Sequence, residues 1–216
     1  VDTILRLADD VALSGFLEIP HEARGLIVFV HGSGSSRFSV RNNQVAQHLQ
    51  HERLATLLMD LLTTQENQVD TITRKLRFDI PMLARRVTGT LDWIARRGDL
   101  RPLPVGLFGA STGAAAALVA AGERPGQVKA IVCRGGRPDL ADDSLTSVHA
   151  PTLLIVGSED TQVLEWNRRA MRQMPGNTQL LTVAGASHLF EEPGTLQQVA
   201  RHAAAWFTLH LTRSSA

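Results

Sequence analysis

One cysteine, Cys133, is all that this 216-residue chain contains, so no internal disulfide can form and the fold must hold by packing alone. A reducing, cytoplasmic setting is the expectation. No stretch approaches the roughly 20 consecutive apolar residues that a membrane span needs, and the opening VDTILRLADD holds too short an apolar run for a signal peptide. Charge of one sign is also missing. Lys and Arg number 22 against 21 Asp and Glu, a net charge of +1, which argues against nucleic acid as a partner. The basic residues Arg74, Lys75, Arg77, Arg85, Arg86, Arg96 and Arg97 are interleaved with Asp79, Asp92 and Asp99 and read as a solvated helix face. Repeats and low-complexity segments are absent. With 44% hydrophobic residues the chain can bury a substantial core, and residues 1–216 are expected to form a single domain.

Metal and nucleotide signatures fail on their details. His48 and His51 lie one helical turn apart beside Glu52, but there is no HExxH pattern and no cysteine–histidine set, so no metal site is expected. The run Gly32-Ser33-Gly34-Ser35-Ser36-Arg37 places Arg37 where a dinucleotide fingerprint needs its third glycine, and it lacks the Gly-Lys-Ser/Thr ending of a phosphate loop. No cofactor is implied. Cys133, inside the run AIVC, reads as a small buried hydrophobe rather than a reactive thiol.

What is present is an alternation of short apolar runs with amphipathic helices, the pattern of a mostly parallel twisted sheet of about eight strands with helices on both faces. Thr3–Leu7 and Val11–Ile19 read as an antiparallel edge hairpin. Leu26–Val30, Ala55–Met59, Val105–Phe108, Ala130–Cys133, Thr152–Val156 and Gln179–Val183 read as parallel strands. A long helix starts at Asp79 as N-cap, takes Pro81 in its first turn and ends at Arg96 and Arg97, with Leu83, Val87, Leu91 and Ile94 facing inward. The last helix follows Pro193-Gly194 and aligns Leu196, Val199, Ala203 and Phe207. Trp93 and Trp206 are expected in packing roles. Leu61–Arg77 and Gly135–Pro151 are left without an assignment, and no insertion is long enough for a separate lid domain.

In such a sheet the chemistry collects just beyond the carboxyl ends of the strands. After LIVFV come His31, Gly32 and Ser33; after VGLF comes GASTG, a G-x-S-x-G turn centred on Ser111; after TLLIV comes GSED, ending in Asp160; after QLLTV comes the turn ending in His188. Serine, acid and histidine thus follow in chain order. A serine hydroxyl needs a base to attack a carbonyl, an imidazole can be that base, and a carboxylate can fix the imidazole tautomer. Each residue has a plainer reading: Ser111 and Asp160 could cap the helices that follow them, His188 could be a structural turn histidine, and Asp139 is a rival acid after the preceding strand.

These residues give the chain a resemblance to the α/β-hydrolase superfamily, and within it to small lidless members of the dienelactone hydrolase type, from the HGSG turn to the final helix. The resemblance implies Ser111 as nucleophile, Asp160 as acid, His188 as base, and an oxyanion hole formed by the backbone N–H groups of Ser33 and Thr112, with His31 architectural. It implies hydrolysis of a carboxylic ester or thioester of a small molecule. Dienelactone hydrolase itself has cysteine at the elbow where this chain has Ser111, so its substrate is not implied. Arg37, Arg41 and Arg134, together with Arg137, follow the surrounding strand ends and could hold an anionic group of the substrate; the plainer alternative is ion pairing with Asp139, Asp142 or Asp143. A non-catalytic binding or regulatory module that keeps the hydrolase fold is the second reading.

Overall fold

The computed structural model describes residues 1–211. Eight strands form one sheet: β1 (Asp2–Arg6), β2 (Ala12–Glu18), β3 (Gly25–Val30), β4 (Leu54–Met59), β5 (Val105–Ala110), β6 (Val128–Arg134), β7 (Thr152–Gly157) and β8 (Thr178–Val183). Their spatial order is β1-β2-β4-β3-β5-β6-β7-β8, with β1 and β2 antiparallel and every pair from β4 to β8 parallel. The chain therefore starts near one edge, reaches the middle at β3, and winds outward both ways. β3, β4, β5 and β7 are buried throughout, and β6 at every position but Lys129, as continuous aliphatic runs covered on both faces must be.

Six helices cover the sheet: α1 (Val40–His51), α2 (Thr64–Thr73), α3 (Ile80–Arg96), α4 (Thr112–Glu123), α5 (Thr161–Met171) and α6 (Thr195–His210). One core joins the inward stripe of α3 (Leu83, Val87, Leu91, Ile94) to the alanines of α4; the other joins α1 and α6 through Val45, Leu49, Val199, Ala203 and Phe207 to Phe29 and Phe108. Trp93 and Trp206 are both buried, as expected. Asp79 caps α3 as its sequence suggests, its carboxylate accepting from the Met82 N–H at 2.9 Å.

Two segments left unassigned in the sequence are in fact structured. Leu61–Arg77 contains α2, closed by a capping box in which Thr63 and Glu66 each accept a backbone N–H from the other. Only Asp70 of α2 is buried, so the helix has no apolar stripe to betray it. Gly135–Pro151 holds a kinked 3-10 segment, Pro138–Ser147, broken at Asp142 with φ of 48°. The solvated basic face is corrected in part. Arg77 pairs with the buried Asp70 at 2.6 Å and the half-buried Arg86 pairs with Glu66 at 2.5 Å, pinning α2 to its neighbours, while Arg74, Lys75, Arg85 and Arg96 are exposed.

The elbow between β5 and α4 is the tightest point of the fold. A Cβ on Gly113 would sit 2.3 Å from the carbonyl oxygens of Val30 and His31, and one on Gly109 would sit 2.5 Å from Ala114 Cα. Only glycine fits there. Gly113→Ala is expected to destabilise the chain by about 1–3 kcal/mol or more through overpacking against fixed backbone. Gly98→Ala, where a Cβ meets nothing within 4 Å, is expected to change stability by less than about 0.5 kcal/mol. Denaturant unfolding of the two variants checks both.

Candidate active site

Ser111 occupies the point where β5 becomes α4, with φ of 50° and ψ of −123°. A non-glycine residue in that region is strained by about 1–3 kcal/mol and persists only where its surroundings impose it. The two elbow glycines impose it, by drawing α4 against the ends of β3 and β5. The Ser111 side chain caps nothing, so the capping alternative fails.

Asp160 and His188 come from the turns after β7 and β8. His188 Nδ1 lies 2.6 Å from Asp160 Oδ2, and Nε2 lies 3.3 Å from Ser111 Oγ. With Nδ1–H donated to the carboxylate, Nε2 keeps its lone pair for the serine proton. Asp160 stands at the start of α5 without capping it, and its side chain is mostly buried. The rival Asp139 is engaged elsewhere, accepting two hydrogen bonds from Arg137 Nε and Nη2. Small residues let the turns meet: a Cβ on Gly157 would fall 2.1 Å from the Ala186 carbonyl oxygen, and one on Gly135 would fall 3.2 Å from that of His188.

The turn after β3 is fixed from behind. His31 Nε2 accepts from the Leu61 N–H at 3.1 Å and Nδ1 donates to the Gly32 carbonyl at 2.9 Å. Burial pushes the His31 imidazole below its ordinary value, against weaker opposing effects of Gly32 and Asp60. Both ring nitrogens are thus engaged by backbone groups, which suits the architectural role expected of His31. Asp60, just past β4, accepts from the Arg37 N–H at 2.8 Å and also pairs with the Arg37 guanidinium. Sequence reasoning passed over Asp60, although an acid directly after an apolar run is the signal used to pick Asp160.

Ser33 and Thr112 do meet, but the Ser33 N–H donates to Thr112 Oγ1 at 2.8 Å rather than facing open space. Thr112 opens α4, so its own N–H has no intrahelical acceptor. A cavity of about 250 Å³ begins at Ser33 and runs past Asp60, Thr63, Asn67 and Arg77. Among the arginines, Arg37 is held by Asp60 and lies against Phe16 and Phe38, Arg41 pairs with Glu191 at 3.0 Å, and Arg137 pairs with Asp139. Arg134 has no carboxylate partner among the described residues. The pairing alternative thus holds for Arg137 with one of its named acids, and for Arg37 and Arg41 with acids not foreseen. Cys133 is fully buried and its thiol is pushed up to about 12 by burial, which suits an inert hydrophobe.

Comparison with known proteins matches this fold. A crystal structure of dienelactone hydrolase from Anabaena variabilis is 52% identical, covers 98% of this chain and 97% of its own, and superposes with a TM-score of 0.96. The chain belongs to the dienelactone hydrolase family of α/β-hydrolases. Est1E from Butyrivibrio proteoclasticus shares the fold at a TM-score of 0.79 with 16% identity, covering 96% of this chain and 97% of its own. A Mycobacterium tuberculosis protein provisionally named a phosphoribosyl transferase is 55% identical over 205 residues, 95% of this chain. The chain spans only 45% of that protein's length. No protein-family model matches the chain. Nor is any described helix long and apolar enough to cross a membrane.

The buried neutral His31 links stability to pH. Its folded pKa lies below the unfolded one, so the unfolded chain takes up the proton first as pH falls, and stability is lost below about pH 6.5. Melting curves at pH 7.5 and 5.5 should show a larger acid loss for the native chain than for His31→Gln.

Proposed function

We propose that this family member is a serine hydrolase of carboxylic esters or thioesters that works through an acyl-enzyme on Ser111. The observation that carries the reading is the unbroken contact from Asp160 through His188 to Ser111, at 2.6 and 3.3 Å. The Ser111 hydroxyl gives its proton to His188 Nε2 as Oγ attacks the substrate carbonyl carbon. Asp160 stabilises the imidazolium without taking its proton. The tetrahedral oxyanion collapses, the carbonyl re-forms, and the alcohol or thiol leaves with the proton from His188. A water activated by the same imidazole then releases the acid and restores Ser111. No cofactor takes part.

The Thr112 N–H, at the positive end of α4, is the ready oxyanion donor. Ser33 N–H joins it once the Thr112 hydroxyl, its present acceptor, turns away. The cavity beyond Ser33, lined by hydroxyls, an amide and two Arg–Asp pairs, suits a small polar substituent on the substrate. Dienelactone turnover is not carried over from the Anabaena protein, because the reading here stands on serine at the elbow. The transferase name of the mycobacterial relative belongs to a protein of which this chain is less than half.

A fluorophosphonate probe tests the reading. The native chain should label rapidly at Ser111 and hydrolyse p-nitrophenyl acetate; Ser111→Ala should do neither. Absence of labelling and turnover in the native chain would favour the binding module instead. Asp160→Asn should lower kcat by on the order of 10⁴-fold while leaving the melting temperature close to that of the native chain, since the imidazole tautomer is lost but the packing stays.

A further inference from the structure

Of the four arginines around the site, Arg134 is the one whose charge nothing answers. It ends β6, is 7% exposed, and makes no side-chain hydrogen bond among the described residues. Its Nε is wholly enclosed without a partner, whereas its terminal nitrogens keep some access to solvent. The alternation along β6 sends Ala130, Val132 and Arg134 to the face covered by α1 and α6, and Arg134 Cζ lies 5.9 Å from the Phe190 ring. Phe190 belongs to the loop that carries His188, and the adjacent Gly135 lies directly against His188.

The charge that acts on Arg134 is positive as well, and the nearby loop acids Glu191 and Glu192 make no ion pair with it. Arg41 is the neighbouring charge, and it stands in the first turn of α1, where the helix end is itself positive and no acid is present. Glu191 pairs with Arg41 but is 63% exposed, so water screens most of its effect. Arg41 Nε is also enclosed without a partner. Burial, with help from the like charge of Arg41, pushes the Arg134 guanidinium down to about 10. A buried cation of this kind is a cost to folding unless an anion completes it.

We propose that Arg134 and Arg41 form a binding site for one small oxyanion, a carboxylate or phosphate group, beneath the His188 loop. The planar Arg134 fork offers paired N–H donors, and Arg41, at the start of α1, supplies the second positive charge. The group could come from a free anion or from the acid end of a substrate, and the recognition chemistry is the same. Binding does not depend on whether Ser111 reacts, so it can be measured apart from the reaction.

Thermal melting of Ser111→Ala at fixed ionic strength, with inorganic phosphate or acetate replacing chloride, is the test. The melting temperature should rise saturably with at least one of the two anions. Adding Arg134→Met should abolish the rise and leave the anion-free protein melting no lower, because a buried unpaired charge has been replaced by an apolar chain of similar length. Arg134→Gln serves as a second variant should the methionine fail to fold. Arg41→Met should raise the half-saturating concentration at least tenfold. Monomethyl succinate against dimethyl succinate separates the sources: stabilisation by the first alone indicates that an ester's own carboxylate reaches the site, and stabilisation by phosphate or acetate but by neither ester indicates a free anion. A melting temperature that no anion moves, or that moves equally in the Arg134 variants, overturns the proposal.

Discussion

The close approach of α4 to the ends of β3 and β5 is the constraint on which the site depends. Gly113 lies where a side chain would overlap the Val30 and His31 carbonyls, and Gly109 where one would overlap Ala114. Four alanines follow Gly113, each fully buried, so the helix can stay as near the sheet as its first turn demands. That proximity turns the backbone at Ser111 into a left-handed conformation that an unconstrained serine avoids. The strain is offset by two apolar cores, one on each face of the sheet. Stability is spent in one place so that a hydroxyl stands clear of the strand end.

Around this point the polar groups are fixed in pairs, each by an element distant in sequence. Leu61 orients His31, Asp60 holds Arg37, and Thr112 meets Ser33. The result is a turn after β3 whose backbone is held from three directions, by residues that follow β4 and by the first residue of α4. The imidazole is oriented the same way, by Asp160 from the turn after the neighbouring strand.

Strands and principal helices are legible in the sequence because burial on two faces demands continuous apolar runs and burial on one face demands a stripe. LIVFV and TLLIV announce β3 and β7; Leu83, Val87, Leu91 and Ile94 announce α3. Ser111, Asp160 and His188 could be picked out because each follows such a run, and the structure brings all three together. α2 escaped notice because it packs by ion pairs, Asp70 with Arg77 and Glu66 with Arg86, which leave no periodic signal; only its capping box could have marked it. The arginines show a different limit. Which guanidinium finds a carboxylate depends on side-chain directions across Asp60, Glu191 and Asp139, and spacing alone does not carry that.

The imidazole and its carboxylate belong to the margin of the sheet, whereas the serine belongs to its centre. Among the described residues β8, which delivers His188, pairs only with β7 and is mostly half-buried or exposed, unlike the sealed strands behind Ser111. Fraying of that outer strand by a single register would part His188 from Ser111 while both cores stayed intact. On warming, such a chain would lose that contact before it lost its shape, and would regain it on cooling without having to refold.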